Sequence, residues 1–293
     1  MTTDTTENVR RFVEEAVNTA LAEVALDKEG IQKLLGNGGE FQARIVAAIR
    51  ELSVGNQYAD EEVVSAYGYL SGYKPKGLVE QTNMLRQLFA GIGFVNQELL
   101  VKIEKGEVAL LTGAEGWFAI PNWLKNPQIF GATYSDAVNK VLATIKQARG
   151  GRFYNYREGV IDEKHLRQSV RTEKFFRELA KAQGDPDILI VAAQFGIQHR
   201  GKSVRRAREV FSCNEFGLGA FATGIMLLTH PERLQDCNDL WIDCAGDEFD
   251  PNSAGVWSCA PAFYFHGREV DFGADGLDAA NVYYGSVSGF AAQ

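Results

Sequence analysis

The chain has 293 residues, 45% of them apolar and 23% charged, with a formal net charge of −8. That length suffices for one large core or for a core plus a smaller helical piece, and the apolar and charged fractions are those of a globular protein. The acidic excess argues against a protein that coats nucleic acid, no apolar run approaches the ~20 residues of a membrane span, and the opening MTTDTTENVRRF lacks the basic-then-apolar layout of a secretory signal, so a cytoplasmic location and no membrane partner are expected.

Residues 6–26 read as an amphipathic helix, with Val9, Phe12, Val13, Ala16, Val17, Ala20, Leu21 and Val24 at helical spacing. Its stripe fits either core or an oligomerisation and partner helix. Further helices are expected at 39–52 and 77–90, which makes residues 1–103 a helical N-terminal region. From 104 to 293 an α/β domain is expected. Residues 108–111 and 116–121 read as short strands, and 134–149 as a helix capped by Thr133 or Ser135. An aromatic loop, GGRFYNYREG, covers 150–159, and a charged helix covers 163–183. ILIVAA at 188–193 is a continuous apolar run, hence a strand buried on both faces. A short basic helix at 203–211 and an all-round apolar, fully buried helix at 217–228 follow. DLWIDC at 239–244 is a second buried strand, 261–272 a hairpin turning at His266-Gly267, and the tail from 276 one more short helix and a loop. The fold class is therefore α/β, a mixed sheet with at least one βαβ unit (188–243, its strands parallel) behind a helical N-terminal region.

One stretch carries a candidate chemistry. GIQHRGKS, residues 196–203, spells G-x-x-x-x-G-K-S between a strand and a helix. A phosphate loop needs that context, because glycines let backbone N–H groups close around the anion. Gly196, His199, Arg200, Gly201, Lys202 and Ser203 are the phosphate-binding candidates, with Lys202 reaching the β- and γ-phosphates. Mg²⁺ would be held by Ser203 and by Asp243, which ends the next buried strand. Asp243-Cys244-Ala245-Gly246 also spells D-x-x-G, 41 residues after Lys202. The two motifs together resemble the first and third motifs of small P-loop GTPases. The resemblance covers about 60 residues. It implies a γ-phosphate-sensing amide at Gly246 and puts Asp247 or Glu248 near an attacking water. The guanine-binding N-K-x-D of that family is missing: Asn139-Lys140 has no Asp two positions on. Over its whole length the chain resembles uncharacterised proteins of phage and mobile elements, a resemblance that assigns no residue a role.

Other readings compete. Five bases, Arg200, Lys202, Arg205, Arg206 and Arg208, fall within nine positions, and Asp243, Asp247, Glu248 and Asp250 follow the next strand. The two sets could simply pair and fix the loops. The acids could instead hold Mg²⁺ for phosphodiester hydrolysis. His230, Cys237, Cys244, Cys259 and His266 match no zinc spacing. Arg205, Arg206 and Arg208 with Phe153, Tyr154 and Tyr156 could touch nucleic acid, against which the acidic tail argues, since residues 234–293 hold 10 acids and one base. The carboxyl edge of parallel strands is where α/β proteins place ligands, so the site expected, whatever the ligand, includes Gln194 with the residues named above. A protein binding a phosphorylated ligand, such as a nucleoside triphosphate, is one expectation. A non-catalytic interaction or assembly protein is the other.

Overall fold

The computed structural model describes residues 3–24, 26–53 and 56–291. The chain divides into two compact units, residues 1–54 and 55–292. The first is helical, with α1 (Thr3–Val24), α2 (Lys28–Gly36) and α3 (Gly38–Ser53). Asp27 starts α2 by accepting the Gly30 amide at 2.8 Å. The apolar periodicity of α1 is present, but its described side chains make no core; Val9 lies outside them. None of the described side chains from 10 to 46 is buried, and Phe12, Val24 and Leu35 are 71%, 65% and 70% exposed.

The second unit holds α4 (Leu78–Leu88), α5 (Gln97–Glu104), β1 (Gly116–Pro121), α6 (Pro127–Phe130), α7 (Tyr134–Ala148), β2 (Phe153–Asn155), β3 (Leu166–Gln168), α8 (Val170–Ala182), β4 (Ile188–Gln194), α9 (Val204–Val210), β5 (Glu215–Gly217), α10 (Ala220–Thr229), β6 (Trp241–Asp243), β7 (Asp247–Phe249), β8 (Cys259–His266), β9 (Glu269–Gly276), β10 (Tyr284–Ser286) and β11 (Ser288–Phe290). Two sheets result. One runs β1-β4-β11-β5, all antiparallel. The other runs β10-β6-β8-β7-β3, with β9 pairing both β8 and β2. Parallel pairs occur in the second sheet, β10 with β6 and β2 with β9. The protein is α/β with mixed strand directions. All ten residues of α10 are buried, as an all-round apolar helix requires. Its Gly224 lets α7 come close, for a Cβ there would lie 2.5 Å from Val141 Cγ1. Leu85 of α4, Phe118 of β1, Ile145 of α7, Ile190 of β4 and Phe263 of β8 share the same core.

Several elements differ from expectation. Residues 56–103 belong with the second unit: Leu78, Leu85 and Phe89 are core residues, so the boundary lies near 54 and not at 103. Residues 108–111 form no strand. The helix expected from 163 starts at Val170, because Ser169 caps it and 166–168 pairs with β7. Part of the aromatic loop is strand β2. The tail beyond 276 is not a helix but β10 and β11. That last difference undoes the unit expected at 188–243. β4 and β6 lie in different sheets, because the tail inserts between them: Ser288 pairs with Gln194 and Ser286 with Asp243. One continuous strip, 284–290, thus ends one sheet and crosses the middle of the other.

Candidate functional site

β4 delivers the chain to Phe195 and then to the GIQHRGKS loop. Gly196 adopts φ +110°, Gly201 adopts φ +76°, and Ser203 caps α9 by accepting the Arg206 amide at 3.1 Å. The strand–loop–helix frame is the one expected. The amides are not free. Gly196 and Gln198 donate to Gln194 Oε1, and Ile197 donates to the Tyr69 hydroxyl. His199 donates to Gly196 O, Gly201 to Tyr284 O, Lys202 to His199 O and Ser203 to Glu61 O. Seven of the eight amides from Gly196 to Ser203 therefore have acceptors within the chain. A phosphate cradle requires those donors to converge on an outside anion.

The side chains are committed too. Lys202 Nζ lies 3.7 Å from Glu62 Oε2, and Arg200 donates to Tyr67 O at 3.0 Å. Ser203 Oγ donates to Glu61 Oε2 at 2.6 Å. Burial alone would raise the Glu62 carboxyl, but the Arg206 hydrogen bond and the Lys202 charge outweigh it and hold the group below its ordinary range. His199 is buried and bonds Glu215 Oε1 at 2.6 Å through Nε2. Ser288 donates to the same oxygen at 2.6 Å and accepts from Gln194 Nε2 at 2.8 Å. Burial would raise Glu215; the His199 bond and charge lower it on balance. This buried chain of Gln194, Ser288, Glu215 and His199 fixes the loop to both flanking strands.

The second motif has a different structural use. The Gly246 amide donates to Leu218 O at 2.9 Å, and a Cβ on Gly246 would strike the Gly217–Gly219 backbone. Close approach of two segments of the chain accounts for this glycine. Asp247 is buried, accepts the Ala220 amide at 2.7 Å at the head of α10 and accepts the Tyr134 hydroxyl at 2.8 Å. Burial pushes its pKa up to about 7 against those bonds. Glu248 pairs with Arg167 at 2.6 Å, and Asp250 closes a turn by accepting the Asn252, Gly255 and Val256 amides. The basic run does not meet these acids as expected. Arg205 binds Glu61, Arg206 binds Glu62 and Glu209, and Arg208 reaches the Ala245 and Asp247 carbonyls.

Asp243 stands apart. It is 3% exposed, and burial followed by the Asp275 charge pushes its pKa up to about 8. Ser203 and Lys202 make their contacts with Glu61 and Glu62, not with Asp243. Ser203 is held by Glu61 and the Arg206 amide, and no hydrogen bond or ion pair draws it towards Asp243, so nothing in the geometry brings the two together as Mg²⁺ ligands. Among the described residues no group of three or more His, Cys, Asp and Glu side chains is arranged to hold a metal. No helix among them is long and apolar enough to cross a membrane.

Sequence reasoning missed two features. A cleft of about 400 Å³ lies between the 120–125 segment, α8 and the head of α10, walled by Trp123, Phe176, Leu189 and Phe221. Arg233 is fully buried, sits 3.9 Å over the Tyr69 ring and donates to the carbonyls of Phe195 and Leu240. Neither has a local sequence signal, because both are made by segments far apart in the chain. Comparison with family models, with curated proteins and with solved structures finds no match.

Proposed function

We propose that the chain is a non-catalytic interaction or assembly protein that self-associates through its N-terminal helices. The observation that carries this reading is the absence of any buried side chain among those described from 10 to 46. Helices in proteins draw most of their stability from packing of an apolar face rather than from propensity. Along the apolar face of α1, Val13 and Val17 are only partly buried, while Ala20 and Val24 are exposed. Contiguous exposed apolar surface marks an association site. A second copy of the same helix is the natural cover, since Val13, Val17, Ala20 and Val24 recur at alternating spacings of four and three, and Arg10, Arg11, Glu14 and Glu15 beside them supply both signs of charge. The whole-chain resemblance to phage and mobile-element proteins suggests an assembled particle as the setting.

Sedimentation velocity over a concentration series tests it. The full chain is expected to form a defined oligomer, and Val17→Glu combined with Val24→Glu to give a monomer whose second unit still unfolds as in wild type. A wild-type monomer at high micromolar concentration overturns the proposal.

The strand–loop–helix frame at β4–α9 favours a second reading, a phosphate site that opens when its amides exchange partners. A nucleotide at a hundred times its dissociation constant stabilises by about 2.7 kcal/mol. Melting with ATP and GTP, with and without Mg²⁺, on wild type and Lys202→Ala separates the two readings: no shift is expected on the first, and a Mg²⁺-dependent shift lost in Lys202→Ala establishes the second.

A further inference from the structure

Helix α8 is tied down at both ends. Near its start, Thr172 Oγ1 donates to Gly217 O at 2.8 Å, and Phe175 stacks on Phe216 at 4.8 Å. Past its end, Gln183 donates to Ile190 O at 2.7 Å and accepts the Ile190 amide at 2.9 Å. Between these anchors Glu173, Phe176, Arg177 and Ala180 face the cleft as one helical stripe. Opposite them lie Ile120 and Leu189, cross-strand partners on one face of the smaller sheet, with Phe221 and Ala222 at the head of α10. The remaining wall, 121–125, is held by Asn126, whose Nδ2 donates to Asn122 O at 2.9 Å, and by the Asn122 amide on Asp187 O at 2.8 Å. The walls are thus fixed by contacts within the chain, and the cleft is open to solvent: its lining residues Leu124, Lys125 and Arg177 are exposed. Its volume of about 400 Å³ falls within the range of small-molecule sites.

The lining selects a chemistry. The floor is apolar: Ile120, Leu189, Phe221 and Ala222 are at most 3% exposed, and the Trp123 and Phe176 side chains line the cleft with them. Charge around the cleft cancels. Arg177 pairs with Glu173. Lys125 donates to the Asp185 carbonyl and sits 5.2 Å over the Phe94 ring, and Asp185 supplies the second carboxylate of the lining. With two cations and two anions there, an anionic or cationic ligand meets like charges as well as opposite ones. A neutral ligand meets no such conflict. Hydrogen-bonding groups remain for it. The Gln168 side chain lines the cleft and makes no hydrogen bond among the described residues. Of the first four amides of α10, Ala220 donates to Asp247, Phe221 to the Tyr134 hydroxyl and Thr223 to Gly219 O, while that of the lining residue Ala222 has no acceptor. Buried amides nearly always have one. A side-chain carboxamide and a backbone N–H both donate, so one carbonyl oxygen on a ligand answers both, in the usual pattern of an apolar wall with a few placed polar groups.

We infer that this cleft binds a neutral small molecule with an apolar body and a carbonyl group, such as an acyl amide or an aryl ketone. Its body lies on Leu189 and Phe221 beside Trp123 and Phe176, and its carbonyl accepts from Gln168 and the Ala222 amide. The site is independent of the N-terminal helices and of the GIQHRGKS loop.

The test is titration of the full chain into Prodan, a neutral naphthyl ketone whose emission moves to the blue in apolar surroundings, followed by competition with octanamide, octanoate and octylamine. Prodan is expected to bind and to be displaced by octanamide, with the two charged octyl compounds weaker by about tenfold or more. Ala180→Met fills the cleft and should weaken Prodan binding by about tenfold or more. Gln168→Met keeps the length of the side chain and removes its amide. It should weaken binding by about fivefold, the size of one lost hydrogen bond, without moving the melting temperature. If one variant misfolds, the other still decides. Val17→Glu combined with Val24→Glu should bind as wild type, which separates the cleft from the apolar stripe of α1. A Prodan dissociation constant above about 1 mM, binding unchanged in both cleft variants, binding lost in the α1 variant, or displacement by octanoate or octylamine as strong as by octanamide overturns the inference.

Discussion

Gly196 and Gly285 meet backbone to backbone: a Cβ on Gly196 would lie 2.6 Å from the Gly285 carbonyl oxygen, and a Cβ on Gly285 would strike the Gly196 carbonyl in return. The first glycine of the loop is thus needed where two chain segments cross, and its φ of +110° disfavours any other residue. Gly196→Ala and Gly285→Ala should each destabilise by about 2–4 kcal/mol, through overpacking against atoms that cannot move aside. Urea unfolding of the two variants checks this, and a loss below 1 kcal/mol in both would contradict the crossing.

Within the loop, the order of importance should reverse that of a nucleotide site. Lys202 makes one partly exposed ion pair at 3.7 Å, worth about 0–1 kcal/mol. Ser203 caps α9 and bonds Glu61, and loss of a cap costs about 0.5–2 kcal/mol. Ser203→Ala is therefore expected to lower the unfolding midpoint more than Lys202→Ala. A Lys202→Ala midpoint equal to or below that of Ser203→Ala would contradict this order.

The pH dependence of stability has a defined sign. Asp243 and Asp247, raised to about 8 and about 7 by burial, hold their protons in the folded state after the unfolded chain has lost them. Each therefore makes stability fall as pH rises from the ordinary carboxyl range to its folded value, by at most about 1.4 kcal/mol per pH unit per group. His230 works oppositely. Burial lowers it to about 4, so stability falls as pH drops below the ordinary imidazole value of about 6.5. Between pH 6.5 and 8 only the carboxyl contribution remains of these three. Unfolding free energy should decline across that window, and Asp243→Asn should flatten it. A rising wild-type curve there would contradict the assignment.

Arg233 should be intolerant of truncation. Its guanidinium is fully buried over Tyr69 and satisfies the carbonyls of Phe195 and Leu240. Arg233→Ala strips both carbonyls of their donor and leaves a hole, with an expected cost of about 3–5 kcal/mol. Arg233→Lys should recover only part, since an ammonium could still donate to the carbonyls but loses the flat guanidinium's packing over the Tyr69 ring. Melting temperatures of the two variants decide.

Much of the architecture was legible in the sequence. The run at 188–193 is a strand and the run at 217–228 contains a helix, because burial on all sides leaves nothing but apolar residues to read. The hairpin turning at His266-Gly267 is β8–β9, and Thr133 caps α7 in a box with Asp136. What could not be read was pairing. The tail sequence YYGSVSGF has short polar residues at Ser286 and Ser288 that hide its central place, since their hydroxyls face buried carboxylates and strand neighbours rather than water. With that strip unplaced, β4 and β6 read as neighbours. Of the expected site, the structure does gather Gln194, His199, Gly196 and Asp243 along residues 284–288, but as parts of a packed crossing. The stacking of Trp241 on Tyr264 could not be read either, because the rings come from β6 and β8 and only register puts them on one face.

The strip at 284–290 also has a bearing on how the chain is made. β1, β4 and β5 leave the ribosome well before β11, and β6 and β8 before β10, yet β5 reaches β4 only through β11. Contacts of that sequence separation are slow to close. During synthesis the apolar strand Ile188–Gln194 must wait with one edge unpaired, a state prone to mispairing with other nascent copies. Production of this protein should therefore be sensitive to translation rate and to chaperone supply until residue 290 has emerged.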